Sequence, residues 1–389
     1  MYIQKFLRPL ALTALIASST FVAQAQPGKY EETDLVVNKQ VKGIPTLVDS
    51  NGITHIAKFF DPNLRNPWGI AESSTSAFWI ADGGAGVATL YNTAGQPQSL
   101  IVNIPGPGNP LGNDGIPDGA LFNPLPAAQH AFQVTGIKTD GTPITAPAVF
   151  LFATKNGTIV GWNPAVNPVG FDPAKAGKYG ITAVTSPGAV YTGLAMATDA
   201  SGVTRLYAAD FIGGKIDVLD ANFKPMNPGA FTDRYLPRGY APFNIAAIEA
   251  NGATRMFVTY AINDLSKIFG QGRGVVNAFA LDGTQATRFA QHGQLDAPWA
   301  VVMTPRTFGD LGGNVWIGNF GGGNINAYDP ATGAYVGKVR DTDGKSVAID
   351  GLWMLKFGNG SNGGDLDKLY FTASPNGETD GIFGFIVPK

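Results

Sequence analysis

Asn244 and Asp350 interrupt two otherwise apolar stretches, "APFNIAAI" (241–248) and "AIDGLWML" (348–355). An amide and a carboxylate offer hard oxygen donors, which suit a divalent cation, Ca²⁺ ahead of a transition metal. A cation held there would act as a Lewis acid or lower the pKa of bound water, with Asp350 as candidate catalytic proton acceptor. Trp68, Phe243 and Trp299 fall at the matching place in this or similar stretches and supply aromatic surface. Trp68, Phe243, Asn244, Trp299 and Asp350 are therefore the candidate ligand-binding residues, with Asn244 and Asp350 as candidate metal ligands.

Other polar residues have a plainer reading. Asp82, Asp210 and Asn319 each precede a glycine-rich turn ("DGGAG", "DFIGG", "NFGGG") and are expected to accept hydrogen bonds from its backbone. His55, His130 and His292 lie far apart and are expected to be solvated or structural. "FGQGRG" (269–274) lacks the strand-then-helix setting of a phosphate cradle. "GNDGIPDG" (112–119) spaces Asp114 and Asp118 as in a calcium loop but has no closing glutamate, and reads as a loop over the candidate face. A serine elbow, a zinc-protease helix and a Cys–His pair are all missing from the sequence.

The elements that must position these residues recur. "NPWGIA" (66–71), "QVTGIK" (133–138), "VYTGLAM" (190–196), "APFNIAAI", "APWAVVM" (297–303) and "AIDGLWML" each precede a second apolar strand such as "FWIAD" or "KLYFTAS". A glycine turn, a third strand and in most units a fourth follow. Four short antiparallel strands per unit are the blade of a β-propeller. The expected fold is all-β, a six-bladed propeller, closed by an N-terminal strand that completes the last blade. "ITHIAKFF" (53–60) is placed to supply that strand. Aligned units put Trp68, Thr135, Thr192, Phe243, Trp299 and Asp350 in one ring around the axis, and Asp82, Lys155, Asp210, Tyr260, Asn319 and Ala373 in another.

"DPNLRNPWGIA", "FWIADGGAGVATLYN", "LYAADFIGGKIDVLD" and "DKLYFTASPNGETDGIFGFI" together resemble a family of uncharacterised secreted bacterial proteins, similar at a distance to NHL-repeat propellers. The resemblance spans nearly the whole chain beyond the leader and implies the fold, not an activity. Some members end in an envelope-sorting tail, which "GFIVPK" does not provide. The candidate site also resembles in position that of lactonase-type metal-dependent propellers. Their glutamate before the first inner strand corresponds here to Asn66-Pro67, a departure from the pattern.

Composition bounds the rest. Lys5 and Arg8, an apolar run and Ala23-Gln24-Ala25 read as a signal peptide (residues 1–25) cleaved after Ala25, leaving residues 26–389 as one propeller domain, secreted or periplasmic. Losing Lys5 and Arg8 takes the formal charge from −2 to −4, and nothing suggests a nucleic-acid partner. After cleavage no membrane span is expected, since none of the remaining stretches approaches about 20 apolar residues. With 51 Gly, 27 Pro and no Cys, the chain is turn-rich and must be held by its core. The expected function is binding of a small molecule or an envelope or extracellular protein, as a monomer, on the face lined by the inner-strand starts. The alternative is a Ca²⁺-like hydrolase or lactonase at the channel mouth.

Overall fold

The computed structural model describes residues 29–389 except Asn251 and Leu265, so the expected signal peptide lies outside the described residues. The chain is nearly all-β. Five four-stranded sheets follow one another, each an antiparallel meander: the first from Pro67–Ala71 to Val102–Asn103, the second from Pro117–Phe122 to Ile181–Thr185. The third begins at Tyr191–Thr198, the fourth at Tyr240–Ala250 and the fifth at Pro298–Met303. A sixth, larger sheet contains Leu352–Phe357, Leu369–Ala373 and Ile382–Pro388. This is a β-propeller arrangement of sheets.

The second strands show why the sheets stack. Phe78–Asp82, Phe150–Thr154, Val315–Asn319 and Leu369–Ala373 are buried at every residue, as a strand must be when its sheet is covered on both faces. Aromatic side chains fill the gaps between sheets. Trp79 stacks on Phe150 of the next sheet at 4.1 Å, and Trp316 meets Tyr30 edge-on at 5.1 Å.

The first strands touch in sequence, each against that of the following sheet, and that of the sixth lies against that of the first. Small residues permit this approach. A Cβ on Gly69 would sit 2.7 Å from the Ala120 backbone nitrogen, and one on Gly119 would sit 2.6 Å from Leu194 Cβ.

Four expectations are corrected. The strand that completes the sixth sheet is Lys29–Val37, antiparallel to Ile382–Pro388, with Val36 opposite Phe383. Of "ITHIAKFF" only Phe59–Phe60 joins that sheet, in parallel with Val36 and Val37; Thr54–Ile56 pairs instead with Ile44–Val48 in a small three-stranded sheet. The polar half of "KYEETDLVV" hides a strand whose apolar half is wholly buried.

The first strand of the second sheet is Pro117–Phe122, not "QVTGIK"; Gln133–Ile137 forms a separate hairpin with Pro143–Pro147. Thr135 therefore leaves the axial ring. Asp118, expected in a loop, enters it.

In the sixth sheet the pairing is Leu352 with Ala373 and Leu355 with Phe371, which gives the ring position to Trp353 rather than Asp350. In the second ring, Thr154, opposite Pro117, replaces Lys155.

Candidate functional site

Each first strand slips register against its second near its start, as between Tyr191 and Gly193 or between Pro298 and Ala300, and in the fourth sheet after three pairs, between Pro242 and Asn244. Such a bulge turns one extra side chain off the regular alternation. The residues at this place are Trp68, Asp118, Thr192, Phe243, Trp299 and Trp353.

Their rings fill the axis. The indoles of Trp68 and Trp353 stack at 3.3 Å, Trp299 lies edge-on to Trp68 at 5.8 Å, and Phe243 lies edge-on to Trp353 at 5.8 Å. Phe320 stacks on Trp353 at 3.8 Å. Trp68 donates through Nε1 to Asn66 Oδ1 (2.7 Å), and Trp299 Nε1 reaches the Thr192 carbonyl (2.9 Å). The strand-start end of the channel is thus an aromatic plug, and its members are core residues rather than open walls.

A cluster of charged groups borders the plug. Asp118 is fully buried, and neither carboxylate oxygen has a hydrogen-bond partner among the described residues. Lys155 Nζ stands 3.9 Å from Asp118 Oδ2, 3.2 Å from Glu378 Oε2 and 4.1 Å from the centre of the Trp68 ring. Burial pushes the Asp118 carboxyl well above the usual carboxylate range, Lys155 opposes and Glu378 adds to the rise.

Below the plug, toward the strand ends, the channel opens into a cavity of about 600 Å³. Gly69, Leu194, Ala195, Asn244, Trp299 and Met354 are among its lining residues. Its lining also includes one ion pair, Glu72 Oε1 with Lys356 Nζ at 2.9 Å. Glu72 Oε2 is buried without a hydrogen-bond partner. Burial raises the Glu72 carboxyl, against the pull of Lys356.

The residues singled out in the sequence divide between these places. Trp68, Phe243 and Trp299 meet in the plug. Asn244 lines the cavity, but its amide is already used: Oδ1 accepts from the Ile245 N–H (2.8 Å) and Nδ2 donates to the Trp299 carbonyl (2.9 Å). Asp350 lies in the turn before its strand, where Oδ2 accepts from the N–H groups of Ser50 (3.2 Å) and Asn376 (3.3 Å).

Asp210 accepts from the N–H groups of Val190 and Gly213, the latter in its own turn. Asn319 accepts from the Asp296 N–H, whereas Asp82 accepts from the Thr89 hydroxyl. His130 and His292 are exposed, and His55 is buried against Asp34. Asp118 and Glu72 were missed. The former carries the Pro-Asp-Gly signature of a turn, and the latter follows the strand by one residue.

The fold and the filled, half-open channel define the class, a β-propeller with an axial cavity. No protein-family model matches the chain. The uncharacterised protein R648 of Acanthamoeba polyphaga mimivirus is 33% identical over 344 residues, covering 86% of this chain and 77% of that one. The chain belongs to the family of R648. Uncharacterised protein L690 of the same virus is 29% identical over 341 residues, covering 85% and 82%.

Similar solved structures include virginiamycin B lyase from Staphylococcus aureus (12% identity, TM-score 0.47, 92% of this chain and 99% of that one). Another is the PQQ-bound aldose sugar dehydrogenase of Streptomyces coelicolor (14% identity, TM-score 0.49, 93% and 100%). The sequence relatives are viral, so the bacterial origin expected from the sequence is not carried over. Among the described residues no helix is long and apolar enough to cross a membrane.

Proposed function

We propose that the chain is a six-bladed propeller, closed by Lys29–Val37, that binds a small and largely apolar molecule in its axial cavity. The cyclic contact of the six first strands supports the blade count and the closure. The cavity of about 600 Å³ carries the functional reading, because it falls within the size of small-molecule sites and combines apolar walls with a single ion pair, Glu72–Lys356. The ligand enters from the strand-end face, opposite the face that the sequence favours, and Trp299 and Asn244 form the closed end.

Export after cleavage at Ala25 and a monomeric state belong to the same proposal. Trp299 lines the cavity, so its fluorescence reports occupancy. Titration with the apolar dye ANS should give energy transfer from tryptophan, and Ala195→Trp, which fills the cavity, should abolish it. Undiminished dye binding in a folded Ala195→Trp variant would place the site elsewhere.

A second reading, hydrolysis, rests on Asp118. A buried carboxyl without hydrogen-bond partners among the described residues, its pKa raised by burial beside Lys155, is what a proton-transfer group requires. Asp118→Asn should then eliminate turnover of any lactone or ester substrate found by screening, while leaving dye binding in the cavity intact. Turnover retained by Asp118→Asn removes this reading.

A further inference from the structure

The strand Lys29–Val37 presents Glu32 and Asp34 on one face, since side chains alternate along a strand. His55, in Thr54–Ile56, packs against them. One donor atom from each of Glu32, Asp34 and His55 lies within 4.8 Å of the other two. His55 Nδ1 is 3.0 Å from Asp34 Oδ2. On the other side of the ring, His55 Nε2 faces Asp49 Oδ2 at 3.6 Å, and neither of these two atoms has a hydrogen-bond partner. Asp34 Oδ1 is likewise buried and unpaired. Asp49 and His55 are each only 5% exposed.

The arrangement is short of positive charge. Three carboxylates surround one imidazole, and even a protonated His55 would leave an excess of negative charge in a site with little water, which is costly unless a cation compensates it. Burial, reinforced by Asp34, pushes the Glu32 carboxyl up to about 7. Burial works to lower His55, but the hydrogen bond and charge of Asp34, with Glu32 and Asp49, bring it up to about 9.

We infer that Glu32, Asp34 and His55, through Nδ1, form a binding site for a first-row divalent cation such as Zn²⁺, with Asp49 on the far side of the ring placed to accept the Nε2 proton. An imidazole nitrogen among carboxylate oxygens suits zinc or manganese better than calcium, which prefers an all-oxygen shell. Glu32 and Ile53 also line a cleft of about 240 Å³, through which an ion can reach the cluster. The ion would staple the small sheet of residues 40–56 to the strand that completes the sixth sheet. This site is separate from the axial cavity and does not depend on how the cavity is used.

The test is calorimetric titration of the EDTA-treated protein with ZnCl₂ and MnCl₂, with CaCl₂ as control, alongside thermal melts. One saturable equivalent of Zn²⁺ or Mn²⁺ is expected, with a rise in melting temperature that calcium does not reproduce. His55→Ala should weaken the affinity at least tenfold, whereas His130→Ala/His292→Ala should not change it. If His55→Ala does not fold, the milder Glu32→Gln decides, with the same tenfold loss expected. Absence of saturable binding, or binding unchanged in the folded cluster variant, overturns the site, as does binding lost in His130→Ala/His292→Ala.

Discussion

The indoles of Trp68 and Trp353 stack almost parallel, with centroids 3.3 Å apart and planes 19° from one another, although one belongs to the first sheet and the other to the last. The contact does not stand alone. The Thr372 hydroxyl donates to the Trp68 carbonyl, and the Asn66 N–H donates to the Asp380 carbonyl at 3.1 Å. The first and last sheets therefore meet at the axis, and the contact is mainly aromatic.

That joint gives the first prediction. Trp353→Ala removes a fully buried indole from a site that the surrounding strands cannot collapse to fill. A loss of about 3–5 kcal/mol is expected in urea unfolding, in the range seen for large-to-small core changes. Trp68→Ala should cost a similar amount. Because the two rings share one contact, the double variant should lose less than the sum of the singles. Additive losses would mean that the rings stabilise the protein independently of their stacking.

The N-terminal strand of the sixth sheet is Lys29–Val37, not the "ITHIAKFF" stretch that the sequence favours. Val36 is fully buried opposite Phe383, whereas Ile56 is 67% exposed. Val36→Asp places a charge in the core of the sixth sheet and should cost several kcal/mol, of the order of 3–5. Ile56→Asp should stay within about 0.5 kcal/mol, as surface substitutions usually do. Thermal melts of the two variants test the assignment, and comparable losses would count against it.

The recurrence of apolar strands and glycine turns made the sheet series legible, because the alternation of burial in a meander is written locally. What was not legible depended on glycines that serve different ends. Gly69, Gly119 and Gly193 follow ring residues and are small because the next strand presses on them. Gly351 follows Asp350 in the same apparent pattern, yet its φ is +69° and a Cβ there would meet the Ser374 carbonyl at 2.2 Å. It is a turn glycine. Matching it to the others shifted the sixth unit by three residues, put Asp350 on the axis and hid Trp353. Pro117-Asp118-Gly119 failed in the opposite direction, since residues typical of a turn here open a strand. Long-range contacts decide both cases, and no local signal encodes them.

Asp118 provides a pH test whose sign is fixed by burial. An unfolded aspartate titrates near pH 4, and in the folded protein its pKa is raised. Below pH 4 both states are protonated and the full stability is present. As pH rises from there through the folded value, the unfolded state loses its proton first and stability falls. Asp118→Asn cannot ionise, so it should gain stability relative to the parent between pH 4 and pH 8. Urea midpoints at the two pH values measure this, and a variant that tracks the parent at both would show that Lys155 fully compensates the charge.

Gly193 and Asn244 make the final pair. A Cβ on Gly193 would lie 2.1 Å from Asn244 Oδ1, so the first strands of the third and fourth sheets approach through a missing side chain on one and a committed amide on the other. Gly193→Ala should therefore destabilise by roughly 1–3 kcal/mol through overpacking. Asn244→Ala leaves the Ile245 N–H and the Trp299 carbonyl without the partners they have now, at roughly 1–3 kcal/mol for each group that water cannot reach. In the double variant the nearest contact disappears with the amide, while Asn244 Cα stays 2.9 Å from the new Cβ, so the combined loss should fall below the sum. Asn244 lines the cavity, so the same proteins can be tested with ANS. Stability lost without loss of dye binding would assign Asn244 to the joint between strands, and loss of both would assign it to the joint and the ligand together.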